Sequence, residues 1–220
     1  MMDLPILFEN DDLLALDKPE GLAVIPERDP GAPCVIAMLA AGGMRPYVVH
    51  RIDKDVSGVL LIAKNPAMHR YLNGRFESRE VRKGYLAVTH GKFRKPQGRI
   101  QARIRQFGSH RMGVDPRSGK ASLTQYRVLE TFGHYSLVSA HPVTGRRHQL
   151  RVHFYDLGHP IVGDPWYGDP ELQRDYPRLM LHARSVALTL PDGASFRVTA
   201  PAPASWNAAV GALRGTRPGG

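Results

Sequence analysis

The chain has one cysteine, Cys34, among 220 residues. An internal disulfide is therefore excluded and a reducing compartment fits. Cys34, inside the apolar run 32–41, is expected to act as a small buried hydrophobe. No apolar run approaches the ~20 residues that a membrane-crossing helix needs. The N-terminus has no basic segment followed by an apolar one, so neither a leader nor an anchor is expected. Ten histidines are present, but none are spaced His-x-x-x-His, and one cysteine cannot make a Cys-x-x-Cys pair, so a zinc-type site lacks its ligands. A glycine-rich nucleotide loop of known spacing is missing too. So are internal repeats and low-complexity linkers. A secreted disulfide scaffold, a membrane protein, a metalloenzyme and a nucleotide-cofactor enzyme are set aside. The expectations are a cytoplasmic location, no membrane, no metal and no cofactor.

What is present is positive charge, unevenly placed. The formal net charge is +10. Residues 1–20 carry Asp3, Glu9, Asp11, Asp12, Asp17 and Glu20 against Lys18, a net of −5. Residues 92–120 carry nine Lys and Arg against Asp115, a net of +8. Cationic charge concentrated in one folded segment points to a polyanionic partner.

Hydrophobic content of 42% suffices for a core, and the length allows one domain of ordinary to large size or two small ones. Apolar runs at 6–8 and 13–16 flank Glu9-Asn10-Asp11-Asp12 and read as paired strands around a polar turn. Residues 32–41 read as a buried helix ended by Gly42-Gly43. Asn65 and Pro66 give an N-cap and a first-turn proline. Met68, Tyr71, Leu72 and Phe76 then recur at helical spacing, which predicts an amphipathic helix over 66–79. Strands are expected at 83–88, 123–129, 135–140, 181–190 and 195–199, with hairpins through the basic segment turning arginines outward. A helix is expected from about Arg146, ended at Gly158, and a short Ala-rich helix near the C-terminus precedes a loose tail at 215–220. Strands outnumber helices and short turns join them. This predicts an α+β fold with a largely antiparallel mixed sheet, flanking helices and a central active-site cleft, in one domain spanning 1–220.

The chain is organised around 47–64. Tyr47 to Val49 and Val59 to Ala63 read as buried strands, and between them lie His50, Arg51, Asp53, Lys54 and Asp55, closed by Ser57-Gly58. Polar loops between core strands commonly carry function. His50-Arg51-Ile52-Asp53 followed by x-x-Val56-Ser57-Gly58 resembles the His-Arg-Leu-Asp-x-x-Thr-Ser-Gly signature of the RluA-type pseudouridine synthases. Further stretches resemble that family in the same order. They are Lys18-Pro19-Glu20-Gly21-Leu22, Lys83-x-Tyr85, Thr144-Gly145-Arg146-Arg147-His148-Gln149-Leu150-Arg151-Val152-His153, and His159-Pro160-Ile161-Val162-Gly163-Asp164-x-x-Tyr167-Gly168 with Leu181-His182-Ala183. Each is short, but their order on one basic chain is specific.

The resemblance implies an RNA uridine isomerase acting on ribosomal or transfer RNA, without an S4 domain, monomeric and with no obligate protein partner. The reaction breaks the N1–C1′ bond, turns the base and rejoins it through C5. It assigns the chemistry to Asp53, as nucleophile or as the base that lets a glycal form; the residues leave both routes open. No second carboxylate is required, unlike a hydrolysing glycosidase, and Asp55 reads as structural. By resemblance Arg151 pairs with Asp53 and holds it ionised, while Tyr85 stacks on the displaced uracil. His50 and Arg51 fill the space the base leaves or touch phosphates. Arg146, Arg147 and His148, expected on one helix with Arg151, and Arg103 and Arg105 of the basic segment are the further RNA-binding candidates. Ile52, Val56 and Arg147 depart from the family's leucine and its two threonines. A catalytically idle RNA-binding protein or folding helper on the same fold, and an N-glycosylase, are the competing readings.

Overall fold

The computed structural model describes residues 4–27, 29, 31–108 and 111–215. Strands β1 (Ile6–Glu9) and β2 (Leu13–Lys18) form the expected antiparallel pair. Asn10 makes the turn: its side-chain oxygen accepts the N–H groups of Asp12 and Leu13 at 3.0 and 2.7 Å. Helix α1 (Val35–Ala41) is shorter than the apolar run, and Val35 is its buried residue. The expected buried helix is thus mostly surface. Its alanines at 37, 40 and 41 are exposed, and a methyl group gains little by burial. Cys34, just before the helix, is 1% exposed.

Strand β3 (Tyr47–Val48) is brief and half-buried, whereas β4 (Ser57–Ala63) is buried throughout. In α2 (Pro66–Glu77) the side chain of Asn65 accepts from the Met68 N–H at 2.9 Å, and Met68 and Leu72 face inward. Then follow β5 (Arg82–His90), β6 (Gln97–Gln106), β7 (Met112–Val114), β8 (Lys120–Phe132) and β9 (Tyr135–Pro142). After these come α3 (Gln149–Asp156), α4 (Pro170–Arg174), β10 (Leu181–Thr189), β11 (Ser195–Thr199) and α5 (Ala204–Gly215). The loose tail expected at 215–220 lies, beyond Gly215, outside the described residues.

By its internal contacts the chain groups into two compact units, 1–83 with 183–201 and 84–182 with 202–220. In the first unit the strand order is β1-β2-β4-β10, with β3 also on β4 and β11 on β10. Its core joins Leu13, Val59 and Leu61 to Leu72 of α2 and to Val186 and Val198. In the second unit the order is β5-β9-β8-β6-β7, every neighbour antiparallel. There Val152 of α3 meets Ile104, Met112 and Tyr167. The fold is α+β and largely antiparallel. Among the described residues no helix is long and apolar enough to cross a membrane.

Candidate active site

In the first unit the loop between β3 and β4 is held from within. Ile52 and Val56 are 6% and 2% exposed, so both departures at these positions are apolar anchors in dry surroundings. The Asp53 carbonyl accepts the Val56 N–H at 3.1 Å, closing a tight turn, and Asp53 itself is half-buried. Arg51 is exposed. His50, expected at RNA, is built into the scaffold. Its Nε2 accepts the Leu61 N–H at 2.9 Å, and its ring stacks on Phe76 with centroids 4.9 Å apart. Burial, with the nearby positive charge of Lys83 adding to it, pushes the His50 pKa down to about 3. The ring is therefore neutral, as an accepting Nε2 requires. Lys83 is pushed down to about 8 by burial. Lys83 and Tyr85 stand two apart on β5 and share a face. Tyr85 is half-buried and opposite Ala140 of β9.

Lys18 opens the Lys-Pro-x-Gly-Leu stretch. It is 0% exposed. Its ammonium donates to the carbonyls of Pro19 and Leu22 at 2.7 Å each, and to that of Lys54 at 3.0 Å, inside the loop that carries Asp53. Gly21 N–H reaches the same Lys54 carbonyl at 2.9 Å. An ammonium out of water needs such acceptors, and three donors matched by three carbonyls meet that need. Across the β2–β4 ladder Lys18 faces Gly58. Gly58 has φ +111, and a Cβ there would fall 2.2 Å from the Ala183 carbonyl oxygen, so only glycine closes the loop.

In the second unit Arg151 is the centre. It is buried, and its Nε and Nη2 donate to the two oxygens of Asp164, both at 2.7 Å, with side chains 3% and 0% exposed. Asp164 also accepts the N–H groups of Trp166 and Tyr167. The Arg151 guanidinium lies 5.2 Å from the Tyr167 ring centre. The Tyr167 hydroxyl accepts from Met112 N–H and hydrogen-bonds His148 Nδ1 at 2.9 Å, and burial is the first cause pushing its pKa up. Asp164 and Tyr167 were visible only as letters of the closing motif. The spacing Gly-Asp-x-x-Tyr was the available signal, and it named no partner.

The helix expected from Arg146 starts instead at Gln149, with His148 as its N-cap at φ +53. A left-handed residue cannot continue a helix. The Gln149 side-chain oxygen accepts the Thr144 hydroxyl at 2.6 Å and the Arg146 N–H at 3.0 Å, which folds 144–148 into a turn. Arg146, Arg147 and His148 therefore lie on that turn, and Arg151 alone of the four lies within the helix. Arg146 Nε reaches the Ala121 carbonyl at 3.3 Å, and Arg147 is exposed, 3.5 Å from Gln106 Oε1. On β6, Ile100 and Ile104 point inward while Arg99, Arg103 and Arg105 point out, as the period of two requires. Arg105 already has a partner, Asp115 at 2.5 Å, and lies 4.4 Å over the Phe107 ring. Among the described residues no group of three His, Cys, Asp or Glu is placed to hold a metal ion.

A sequence model of the family described as RNA pseudouridylate synthase matches residues 12–156. An uncharacterized RNA pseudouridine synthase of Bacillus subtilis is 39% identical over 194 residues, covering 83% of this chain and 63% of that protein. The ribosomal large subunit pseudouridine synthase C of Yersinia pestis is 39% identical over 211 residues, covering 89% of this chain and 65% of that one. The chain thus spans just under two thirds of the length of these two relatives. Among solved structures, the human protein RNA Pseudouridylate Synthase Domain Containing 1 superposes with a TM-score of 0.78 at 29% identity, over 99% of this chain and 97% of that one.

Proposed function

Because this chain belongs to the RNA pseudouridylate synthase family, we propose that it isomerises uridine in RNA to pseudouridine, with Asp53 acting at the sugar of a flipped-out uridine. The N1–C1′ bond breaks, the base turns, C5 bonds to C1′, and the C5 proton is lost. Asp53 serves either by attacking C1′ or by taking the proton that lets a glycal form. No water is consumed and no sugar is released. The observation that carries this reading is the fixing of the Asp53 loop by buried Lys18 and by Gly58, since a reacting carboxylate must be held to a fraction of an ångström. Tyr85 stacks on the displaced uracil. Arg151 serves as the guanidinium partner of Asp53, and Asp164, by engaging two of its nitrogens, sets its orientation. Arg51 enters the space the base leaves, and His50 supports that loop. Arg103, Arg105, Arg146, Arg147 and His148 meet the RNA. The RNA is ribosomal or transfer RNA, and the name of the Yersinia pestis relative favours ribosomal. The protein works in the cytoplasm as a monomer.

The test is tritium release from RNA labelled at uracil C5, taken from cells lacking the gene. The wild-type chain releases tritium with no change in RNA backbone or base content. Asp53→Asn releases none above background and still binds the RNA. Release by that variant at the wild-type rate overturns the role of Asp53, and free uracil among the products replaces isomerisation by base excision.

A further inference from the structure

The second unit holds a cavity of about 350 Å³ that the reaction does not use. It is lined by the rings of Phe107, Tyr155 and Tyr167, by Val152, and by one cation and one anion, Arg111 and Asp156. The Arg111 guanidinium lies over two of the rings, 5.6 Å from the centre of Tyr155 and 5.1 Å from that of Tyr167. Phe107 and Tyr155 are 38% and 45% exposed, so ring faces are offered to solvent beside cations. The Tyr167 hydroxyl is turned to Met112 and His148, and with only 1% of the residue exposed its ring forms the cavity's inner wall, while Phe107 and Tyr155 are the rings a guest can reach.

A bare phosphate would suit Arg111 but face Asp156, and an ammonium would have the opposite difficulty. A flat neutral ring with both acceptor and donor edges satisfies the whole lining. Guanine has them side by side. Its O6 and N7 accept a guanidinium fork, and its N1–H and N2–H₂ give two parallel donors to a carboxylate. Adenine and uracil have neither paired edge, and cytosine lacks the paired donors. The volume is at the small end of ligand pockets, about 300–1,000 Å³, and suits one base. We infer that this cavity receives an unpaired guanine of the substrate RNA, a second base distinct from the uridine that reacts. The inference rests on the proposed reading only in taking the guest from RNA.

The experiment measures anisotropy of labelled heptamers on the full chain. UUUGUUU binds more tightly than the uridine heptamer, by the roughly 5- to 150-fold that stacking one base supplies. UUUAUUU, which stacks but lacks the paired donors, falls between. Tyr155→Ala removes most of the advantage over the uridine heptamer, and Tyr155→Phe keeps it. Asp156→Asn erases the preference of guanine over adenine while affinity for the uridine heptamer stays, which shows that the variant is folded. Equal binding of UUUGUUU and the uridine heptamer overturns the inference. So does a guanine preference that survives both Tyr155→Ala and Asp156→Asn. Tritium release is read separately. An active enzyme without guanine preference loses the cavity alone, and guanine preference without tritium release loses the isomerisation alone.

Discussion

Lys18 and Arg151 are both cations removed from water, and the two units hold them differently. Lys18 gives its ammonium to three backbone carbonyls in two separate turns. Arg151 gives two nitrogens to one carboxylate. The first arrangement fixes the path of the chain around the cation. The second fixes the cation itself, as a planar group of set orientation. A buried charge can thus shape a loop or be presented by its surroundings, and its partners distinguish the two.

The largest effect is expected where a charge would be left alone. Arg151→Met strands buried Asp164 and should lower unfolding free energy in urea by ~3–5 kcal/mol. Arg151→Lys keeps charge without the fork and rescues part of it. Arg151→Met combined with Asp164→Leu should cost less than the sum of the single changes. Strict additivity would break the comparison on this side.

Next comes Lys18→Met, which leaves carbonyls without their donor at ~1–3 kcal/mol. Since the Lys54 carbonyl is among them, turnover should fall more steeply than stability, while RNA binding holds. A variant with wild-type turnover and a lowered urea midpoint would make Lys18 a purely structural residue.

Each unit also holds a neutral histidine, and these sharpen the comparison through pH. His50 in the first unit is pushed down to about 3, and His153 in the second to about 4, in both cases chiefly by burial. Both folded pKa values lie below the ordinary 6.5, so between them the unfolded chain binds more protons. Stability is then complete above about pH 6.5 and falls as pH drops towards the folded values, by up to ~1.4 kcal/mol per pH unit for each group. His153 bonds Ser122 Oγ at 2.7 Å and Thr124 Oγ1 at 2.9 Å, and His50→Gln can still accept from Leu61. Urea midpoints at pH 7 and pH 5 should differ less in His50→Gln than in the wild type; an unchanged difference removes His50 from the acid response.

The smallest effect on stability belongs to the exposed arginines. Arg103→Glu and Arg105→Glu should each stay within about 0.5 kcal/mol, yet both should weaken binding to all RNAs. Each lost phosphate contact flattens the log–log salt dependence by ~0.7–0.9. Arg103 should matter more, because the Arg105 charge already faces Asp115. Equal salt slopes in wild type and Arg103→Glu would leave β6 a solubilising surface.

Periodicity made much of this legible. The alternation in β8 and β9 and the Asn65-Pro66 start of α2 appear where expected, because short-range patterning fixes them. The motifs likewise drew attention to the Asp53 loop and to Arg151. What escaped depended on partners distant in sequence. Nothing near Lys18 announces that its acceptors include Lys54, and nothing near Arg151 announces Asp164. His148 shows the local limit, since its left-handed backbone follows from the grip of Gln149 on Thr144 and Arg146 rather than from its own preference. The five-residue α4 was missed although Asp169 caps it and Pro170 opens it. One turn is too short to show a period.

The approach of Gly58 to the Ala183 carbonyl also sets a clock. The unit that carries Asp53 is built from 1–83 and 183–201, so the growing polypeptide must be extended through residues 84–182 before residue 183 can arrive beside Gly58. At about 5–20 residues per second that interval is on the order of 5–20 s. During it, β4 has an open flank where β10 will later lie, an unpaired edge of the kind that invites wrong partners. A nascent chain released early, before residue 183, would carry the aspartate and its lysine yet never complete the frame around them. The frame around Asp53 is therefore completed only after residue 183 has been made.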